Sequence, residues 1–421
     1  MYKKTVLKNG LRIITVPSKN TNAVTALVMV ATGSKYESKE ISGISHFLEH
    51  MALKGTKKRP NQIEIFRLLD GFGGISNAFT GPDFTGYYIK AQSEKFNDAL
   101  ELVSDIYLHS TLLASEIEKE RGTIIEELNM FYDHPMRHIG TLWNQVLYGD
   151  QPAGWDIGGT IKTVKKISRD QLISYRNSQY VAKGTIVCVS GKFDQAEVFK
   201  LIKKHFAGIS PKFPKNKPKV VDCQKTPQVL IYKKDTKQIQ TALGVRAYNN
   251  KHPKKYAFEL LNLILGGMWS SRLVEEIRIK RGLAYDIHTE LNMDPDAGSL
   301  VAVANLNSNR LEEGIGMILG EFGKIARSKI SEKELKKAKD HYIGKYSIAL
   351  ESSHSQASFY AEQELLEGKM LEPKEIFKKI SKVTVEDIQK TARLIFKPEK
   401  LNLALIGPFK NKEKFQKLLK I

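Results

Sequence analysis

Two histidines four positions apart, His46 and His50, with Glu49 between them, are the residues of this chain best suited to chemistry. They lie in Ile41–Lys54, where Ile41, Ile44, Phe47, Leu48 and Met51 recur at helical spacing. On a helix, residues four apart stack on one face, so both imidazoles can reach one metal ion while Glu49 stands beside them. Two imidazoles and a neighbouring carboxylate base suit metal-assisted attack of water on a carbonyl. Histidine is scarce, 10 in 421 residues, which makes the spacing informative. His134 and His138 are also four apart, but Pro135 restricts that segment to a helix start and no Glu lies between them. Both are expected at the surface, and the remaining histidines are isolated.

A metal site that keeps an open position for water needs a third protein ligand. Ser115–Leu128 reads as a helix with Ile117, Ile124, Ile125 and Leu128 on its apolar side. Glu120 and Glu127, seven apart, share a face of it, and Glu126 points about a quarter turn away. A glutamate on a helix is ordinarily a solvated charge, so this spacing alone leaves the third ligand open.

The elements that position these residues are organised as a duplication. The chain opens on a strand, an Asn9-Gly10 turn and a second strand over Leu11–Val16. A helix at Arg169, a strand over Gly184–Val189, Gly191 and a helix over Asp194–His205 form one unit. A helix at Val385, a strand over Leu401–Ile406, Gly407 and a helix over Asn411–Leu419 repeat it 216 positions on. Ser210–Lys219, with three prolines and four lysines, reads as a stiff exposed linker. The expected division is an N-terminal catalytic domain at 1–209, a linker at 210–227 and a C-terminal domain at 228–421. Strands followed by runs of helices predict an α+β fold, with mixed, mainly antiparallel sheets and helices packed on them. The second half has Tyr256–Leu261 where the first has its histidine helix, so it carries no metal ligands there and would serve as a wall and binding surface.

Composition narrows the remaining classes. Hydrophobic residues at 41% and charged residues at 27% are ordinary for a globular protein. No apolar run reaches about eighteen residues, so no membrane span is expected. The N-terminus has neither an apolar signal core nor Arg-rich transit character, which points to the cytoplasm. Cys188 sits in an apolar run and Cys223 in a polar connection, and neither calls for a disulfide. The net charge of +20 comes from lysines spread over helix faces, without aromatic-interleaved basic motifs. It reads as a solvated surface that favours acidic peptides rather than nucleic acid.

The motifs together resemble the pitrilysin and mitochondrial-processing-peptidase family of zinc peptidases. His46-Phe47-Leu48-Glu49-His50-Met51 followed by Lys54-Gly55-Thr56 is similar to that family's zinc helix. Glu120-Arg121 through Glu127 is similar to its second glutamate segment, with seventy-six residues between His50 and Glu127. Gly73–Thr80 resembles its substrate-pairing edge strand. Pro152-Ala153-Gly154, Leu265–Leu273 and Arg278–Tyr285 match further signatures, so the likeness covers nearly the whole chain.

The resemblance implies two homologous α/β-sandwich domains facing each other across a chamber. It implies one Zn²⁺ in the catalytic domain, held by His46, His50 and Glu127, with Glu49 as general base and Glu120 as an assisting acid. Substrate would lie along Ser76, Asn77, Ala78 and Phe79, and would meet Arg278 and Tyr285. The implied activity is that of a zinc metalloendopeptidase acting on peptides or unfolded segments. A homodimer, or a heterodimer with a paralogue, would use Arg278 and Tyr285 in the partner's site. Two positions depart from the processing enzymes. Arg137 and Thr141 stand ten and fourteen residues after Glu127, where those enzymes carry acidic residues that read basic presequences. This favours a general peptidase. Some relatives have lost activity and serve as assembly subunits; this chain keeps all the expected ligands and the base.

Overall fold

The strands expected around Asn9-Gly10 are present in the computed structural model, which describes residues 2–421. β1 (Lys3–Val6) and β2 (Arg12–Pro17) pair antiparallel, with Gly10 at φ 92°, a conformation open to glycine. β3 (Ala23–Val30) follows, then the helices α1 (Ile44–Ala52) and α2 (Gln62–Gly71). β4 (Ile75–Thr80), β5 (Thr85–Gln92) and, much later, β6 (Thr185–Gly191) complete a six-stranded sheet in the order β1-β2-β6-β3-β5-β4. Only β2 and β6 run parallel. β4 is therefore an edge strand.

β3 and β6 are buried along almost their whole length, the mark of central strands covered on both faces. Val24, Ala26 and Val28 turn to one face, where α3 (Phe96–His109) supplies Ala99, Val103 and Ile106. Leu27 and Met29 turn to the other, against Ala357, Tyr360 and Ala361 of the helix Ser353–Glu362. Cys188 is buried on this second face, and Cys223 is exposed.

α4 (Ala114–Asp133) and α5 (Pro135–Tyr148) follow α3. A second sheet is built from β7 (Gln228–Lys233), β8 (Gln238–Arg246), β9 (Ala284–Met293), β10 (Gly298–Asn307) and β11 (Leu401–Gly407), in the order β7-β11-β8-β10-β9. Its order and its single parallel pair, β7 with β11, reproduce the run β2-β6-β3-β5-β4 strand for strand. The duplication expected from the Gly191 and Gly407 repeats is thus present in the topology. Two sheets, each with packed helices, make an α+β fold.

The two compact units are not cut at one linker. The first holds the chain through Asn129, Trp155–Pro218 and Ile348–Met370; the second holds Met130–Gly154, Lys219–Ser347 and Leu371–Ile421. The expected division at 210–227 differs from this in two segments. The physical reason is face coverage: a sheet with two apolar faces needs two layers over it, and each half of the chain lends one helix. Ser353–Glu362 covers the first sheet. α5 covers the second, with Ile139, Leu142, Trp143 and Leu147 against Ala242, Val301, Ala404 and Ile406. His138 is a correction to the sequence reading. It is buried, not at the surface, with its ring 5.2 Å from Tyr132 and 4.6 Å from Tyr232. His138 lies four before Leu142 and so shares α5's apolar stripe. His134 is exposed, and α5 begins at Pro135 as expected.

Candidate metal centre

α1 is shorter than its apolar pattern suggested because its start is fixed by Gly43. That residue has φ 95°, and a Cβ there would meet the Gly158 carbonyl oxygen at 2.5 Å. No side chain caps the helix from Gly43 itself. Glu37 does so from the preceding loop, its two carboxylate oxygens accepting from the backbone N–H groups of Gly43 at 2.7 Å and Ser45 at 2.8 Å. An acid at a helix N-terminus also meets the positive end of the helix dipole. Burial pushes the Glu37 carboxyl up to about 8, while these hydrogen bonds oppose the rise. Ser45 Oγ lies 2.9 Å from Tyr175 Oη, which lies 2.9 Å from Thr32 Oγ1. Ile44, Phe47, Leu48 and Met51 bury the opposite side of the helix. The histidine face is therefore anchored at one end by the Glu37 hydrogen bonds and along its back by packing.

His46 Nε2 and His50 Nε2 lie 3.2 Å apart. Glu127 Oε2 of α4 is 3.8 Å from the first and 3.4 Å from the second. Glu120, two turns earlier on α4, meets only the far side of His50: Nδ1 to Oε1 is 2.7 Å. Its other oxygen takes Lys54 Nζ at 2.5 Å. Glu120 is buried, whereas the Glu127 side chain keeps about a third of its exposure. Glu126 is exposed and away from this cluster. The helix face shared by Glu120 and Glu127 thus divides into an inner carboxylate behind His50 and an outer one beside both imidazoles. Glu49 leaves α1 on the same side as the histidines, and its Oε2 accepts a hydrogen bond from Thr80 Oγ1 at 2.6 Å.

Charge is distributed unevenly over the cluster. Burial first, and then the neighbouring His50 charge, push His46 down to about 4. Burial alone would lower His50 too, but its bonds to Glu120 and Glu127 overcome that and raise it to about 9. These shifts favour a single positive charge on the imidazole pair, placed on His50. Burial raises the Glu49 carboxyl, with the Thr80 bond acting against it. Burial would also raise Glu120, but hydrogen bonds from His50 and Lys54 leave it below the usual carboxylate range. Two imidazole nitrogens and a carboxylate oxygen, all within 4.8 Å of one another, are a ligand set for a divalent metal. It is the two-nitrogen, one-oxygen donor set of a catalytic zinc site, and Glu120 behind His50 is the usual outer carboxylate of such a site. The residues fit zinc.

Two models of family sequences match the chain: Insulinase (Peptidase family M16) over residues 12–160, and the Peptidase M16 inactive domain over residues 166–342. The chain belongs to peptidase family M16. It is 33% identical to the uncharacterised zinc protease YmxG of Bacillus subtilis, over 98% of this chain and 99% of that protein. It is 30% identical to the uncharacterised zinc protease ML0855 of Mycobacterium leprae, over 99% of this chain and 94% of that one. Among solved structures, a protease from Helicobacter pylori superimposes with a TM-score of 0.90 at 26% identity, over 97% of this chain and all of that chain. The M16 match labels the second region inactive, in keeping with a helix Lys255–Asn262 that bears no histidine.

Other residues singled out in the sequence form separate groups. Ser76, Asn77, Ala78 and Phe79 lie on the edge strand β4, paired on one side only, with β5. Arg278 and Tyr285 belong to the second unit, where the guanidinium sits 5.6 Å from the Tyr285 ring centroid and 5.4 Å from that of Trp269. Trp269 and Tyr285 are among the most exposed large side chains, and Arg278 and Tyr285 line a cavity of about 410 Å³ with Gln238 and Asn307. Thr80, Glu37 and Tyr175 were not found from the sequence. Each acts across a separation that no local spacing records. Among the described residues, no helix is long and apolar enough to cross a membrane.

Proposed function

We propose that this M16 chain is a zinc-dependent endopeptidase of peptides and unfolded segments. The observation that carries the reading is the convergence of His46, His50 and Glu127 beside a half-buried glutamate, Glu49, that is no part of the ligand set. Zinc held there would polarise the scissile carbonyl and acidify the attacking water. Glu49 takes the proton of that water and returns it to the leaving amine. Its raised affinity for protons suits a group that must accept one near neutral pH. Glu120 holds His50 through Nδ1, leaving Nε2 for the metal. β4 receives the substrate as an added strand through its free main-chain groups, with Ser76–Phe79 alongside. Arg278, a half-buried donor, and Tyr285, an exposed ring, bind the neighbouring peptide segment.

We infer further that the chain works as a dimer, with Arg278 and Tyr285 serving the partner's centre, and that an enclosed chamber admits unfolded chains and excludes folded ones. Arg137 and Thr141 in place of acidic residues favour general peptides over basic presequences. The test is digestion of a mixed peptide library by the zinc-loaded chain, with and without a chelator. Internal cleavages that vanish with chelator and return with added zinc are expected. A zinc-loaded chain that cleaves nothing overturns the reading in favour of a non-catalytic subunit.

A further inference from the structure

We infer that Thr80 is the positioning residue for Glu49, linking the edge strand to the base; this rests on the peptidase reading above. Thr80 is the last residue of β4, paired with Thr85 at the start of β5. Thr85 is itself pinned, its Oγ1 donating to the Thr32 carbonyl at 2.9 Å. The following turn is closed by Gly81 N–H to the Phe84 carbonyl at 2.8 Å. A β-branched side chain on a backbone fixed at both ends has few rotamers to choose from. Its hydroxyl is thus a fixed donor aimed at Glu49 Oε2, at 2.6 Å. Among the described residues, Thr80 is the only side chain that donates a hydrogen bond to Glu49. One carboxylate oxygen is clamped, which leaves the other to take the proton.

The arrangement has a consequence for turnover. Glutamate has three rotatable bonds, and a base that wanders loses rate steeply, because proton transfer needs hydrogen-bond distance and alignment. The donor stands on the strand that receives substrate, so a peptide that pairs with β4 steadies the same segment that orients Glu49. The cost of losing Thr80 should fall on the chemical step, not on substrate binding.

The experiment compares Thr80→Val, which keeps shape and removes the hydroxyl, with Thr80→Ser, which keeps the hydroxyl. A fluorogenic peptide chosen from the library digestion is the substrate. Thr80→Val is expected to lower kcat about tenfold to hundredfold with KM within about threefold and one zinc retained, and Thr80→Ser to recover most of the rate. A second readout needs neither metal nor turnover. In zinc-free chain labelled at the glutamate carboxyl carbon, the Glu49 resonance, identified by its loss in Glu49→Gln, should move in Thr80→Val and stay in place in Thr80→Ser. Thr80→Ala serves as the hydroxyl-free variant if Thr80→Val does not fold. An unchanged kcat without the hydroxyl, equal loss in Thr80→Ser, or a lowered kcat with an unmoved resonance each overturns the assignment. If Glu49→Gln itself turns over normally, it is the peptidase mechanism that fails, and the resonance comparison still decides whether Thr80 holds Glu49.

Discussion

The helix pair α1 and α4 in the first unit has a counterpart in the second, the helices Lys255–Asn262 and Glu332–Ala349, and the two pairs put the same scaffold to opposite uses. α1 follows β3 as Lys255–Asn262 follows β8, and β3 and β8 hold equivalent places in their sheets. In the first pair, His46, Glu49, His50, Glu120 and Glu127 gather titratable groups around a space suited to an ion. Around the second pair rings gather instead, joined by side chains of the helix Pro373–Ser381. Tyr342 and Tyr346 stack at 5.3 Å, Phe377 stands edge-on 6.1 Å from Tyr346, and Lys379 lies over Tyr256. One acid, Glu259, persists there. Burial, and then the Glu259 charge, push the Tyr342 phenol well above its usual range. The difference teaches what a cluster of ligand-type side chains costs. Aromatic packing needs no ion: the Tyr342–Tyr346 stack lies within one helix and Phe377 joins it to the helix Pro373–Ser381, and stacked rings contribute about 0.5–1.5 kcal/mol beyond burial. The histidine pair instead holds one ring neutral by burial and the other charged by two carboxylates. Such a cluster is held in place by its surroundings, Glu37 and Lys54 among them, and gains its own stabilisation when a cation arrives.

The largest effect should come from breaking the ligand set. His46→Ala, His50→Ala or Glu127→Ala is expected to release zinc and abolish hydrolysis, read by metal analysis and peptide cleavage. Glu259→Gln on the other side of the comparison should leave one zinc per chain. Retention of one zinc by His50→Ala would displace the ligand assignment. Next comes the base: Glu49→Gln should keep zinc and fold but lose about two to four powers of ten in kcat. Near-normal turnover would move the base elsewhere, with Glu120 the first alternative.

Much of this contrast was legible in the sequence, and the rest was hidden for identifiable reasons. The spacing of His46 and His50 placed them on one helix face, and Tyr256–Leu261 marked the matching helix of the second half as lacking that ligand pair. The third ligand was not legible from spacing, since Glu120 and Glu127 share a face. Resemblance favoured Glu127, and the structure separates the two glutamates by exposure and by which imidazole nitrogen each meets. Amphipathic patterning revealed that α5 has an apolar stripe but not which sheet would cover it, so the exchange of helices between the halves was missed. The same stripe explains His138, which spacing could have assigned to the core. Thr80 and Glu37 escaped because their contacts, to Glu49 and to Gly43 and Ser45, depend on how loops and strand ends meet α1.

A smaller and conditional effect tests whether the second unit supplies more than a wall. Arg278 and Tyr285 have no ligand set of their own to serve. If they act in a partner's centre, inactive Glu49→Gln chains mixed with inactive Arg278→Ala/Tyr285→Phe chains should regain part of the activity, up to about a quarter of wild type for random exchange into mixed dimers with one intact site each. Subunit exchange is verified by mass-tagged chains. Verified mixed dimers without recovery, or a strictly monomeric active enzyme, would rule out the trans arrangement and leave the metal centre as it is.

The smallest effect is a proton. The His50 pKa is raised to about 9 from its ordinary 6.5, so its contribution to the stability of the zinc-free chain is fully present below about pH 6.5 and is lost as pH rises through 9. His46, depressed to about 4, works in the other direction. It stays neutral in the fold while the unfolded chain takes up a proton, so stability falls as pH drops from 6.5 toward 4. The site's contribution therefore peaks near pH 6.5 without metal. A ligand imidazole cannot keep its proton on the nitrogen that binds, so zinc uptake must expel the one on His50. Calorimetry at pH 6 in buffers of different ionisation enthalpy should count about one proton released per zinc, because a zinc-bound water, with a pKa near 7, is still largely intact there. The zinc-free chain should lose melting temperature between pH 7 and 9, and the zinc-loaded chain should not show that loss. Zinc uptake at pH 6 without proton release would mean that His50 is neutral in the free chain. The comparison would then lose its sharpest electrostatic contrast, a charged imidazole held by two carboxylates in one helix pair against neutral rings in the other.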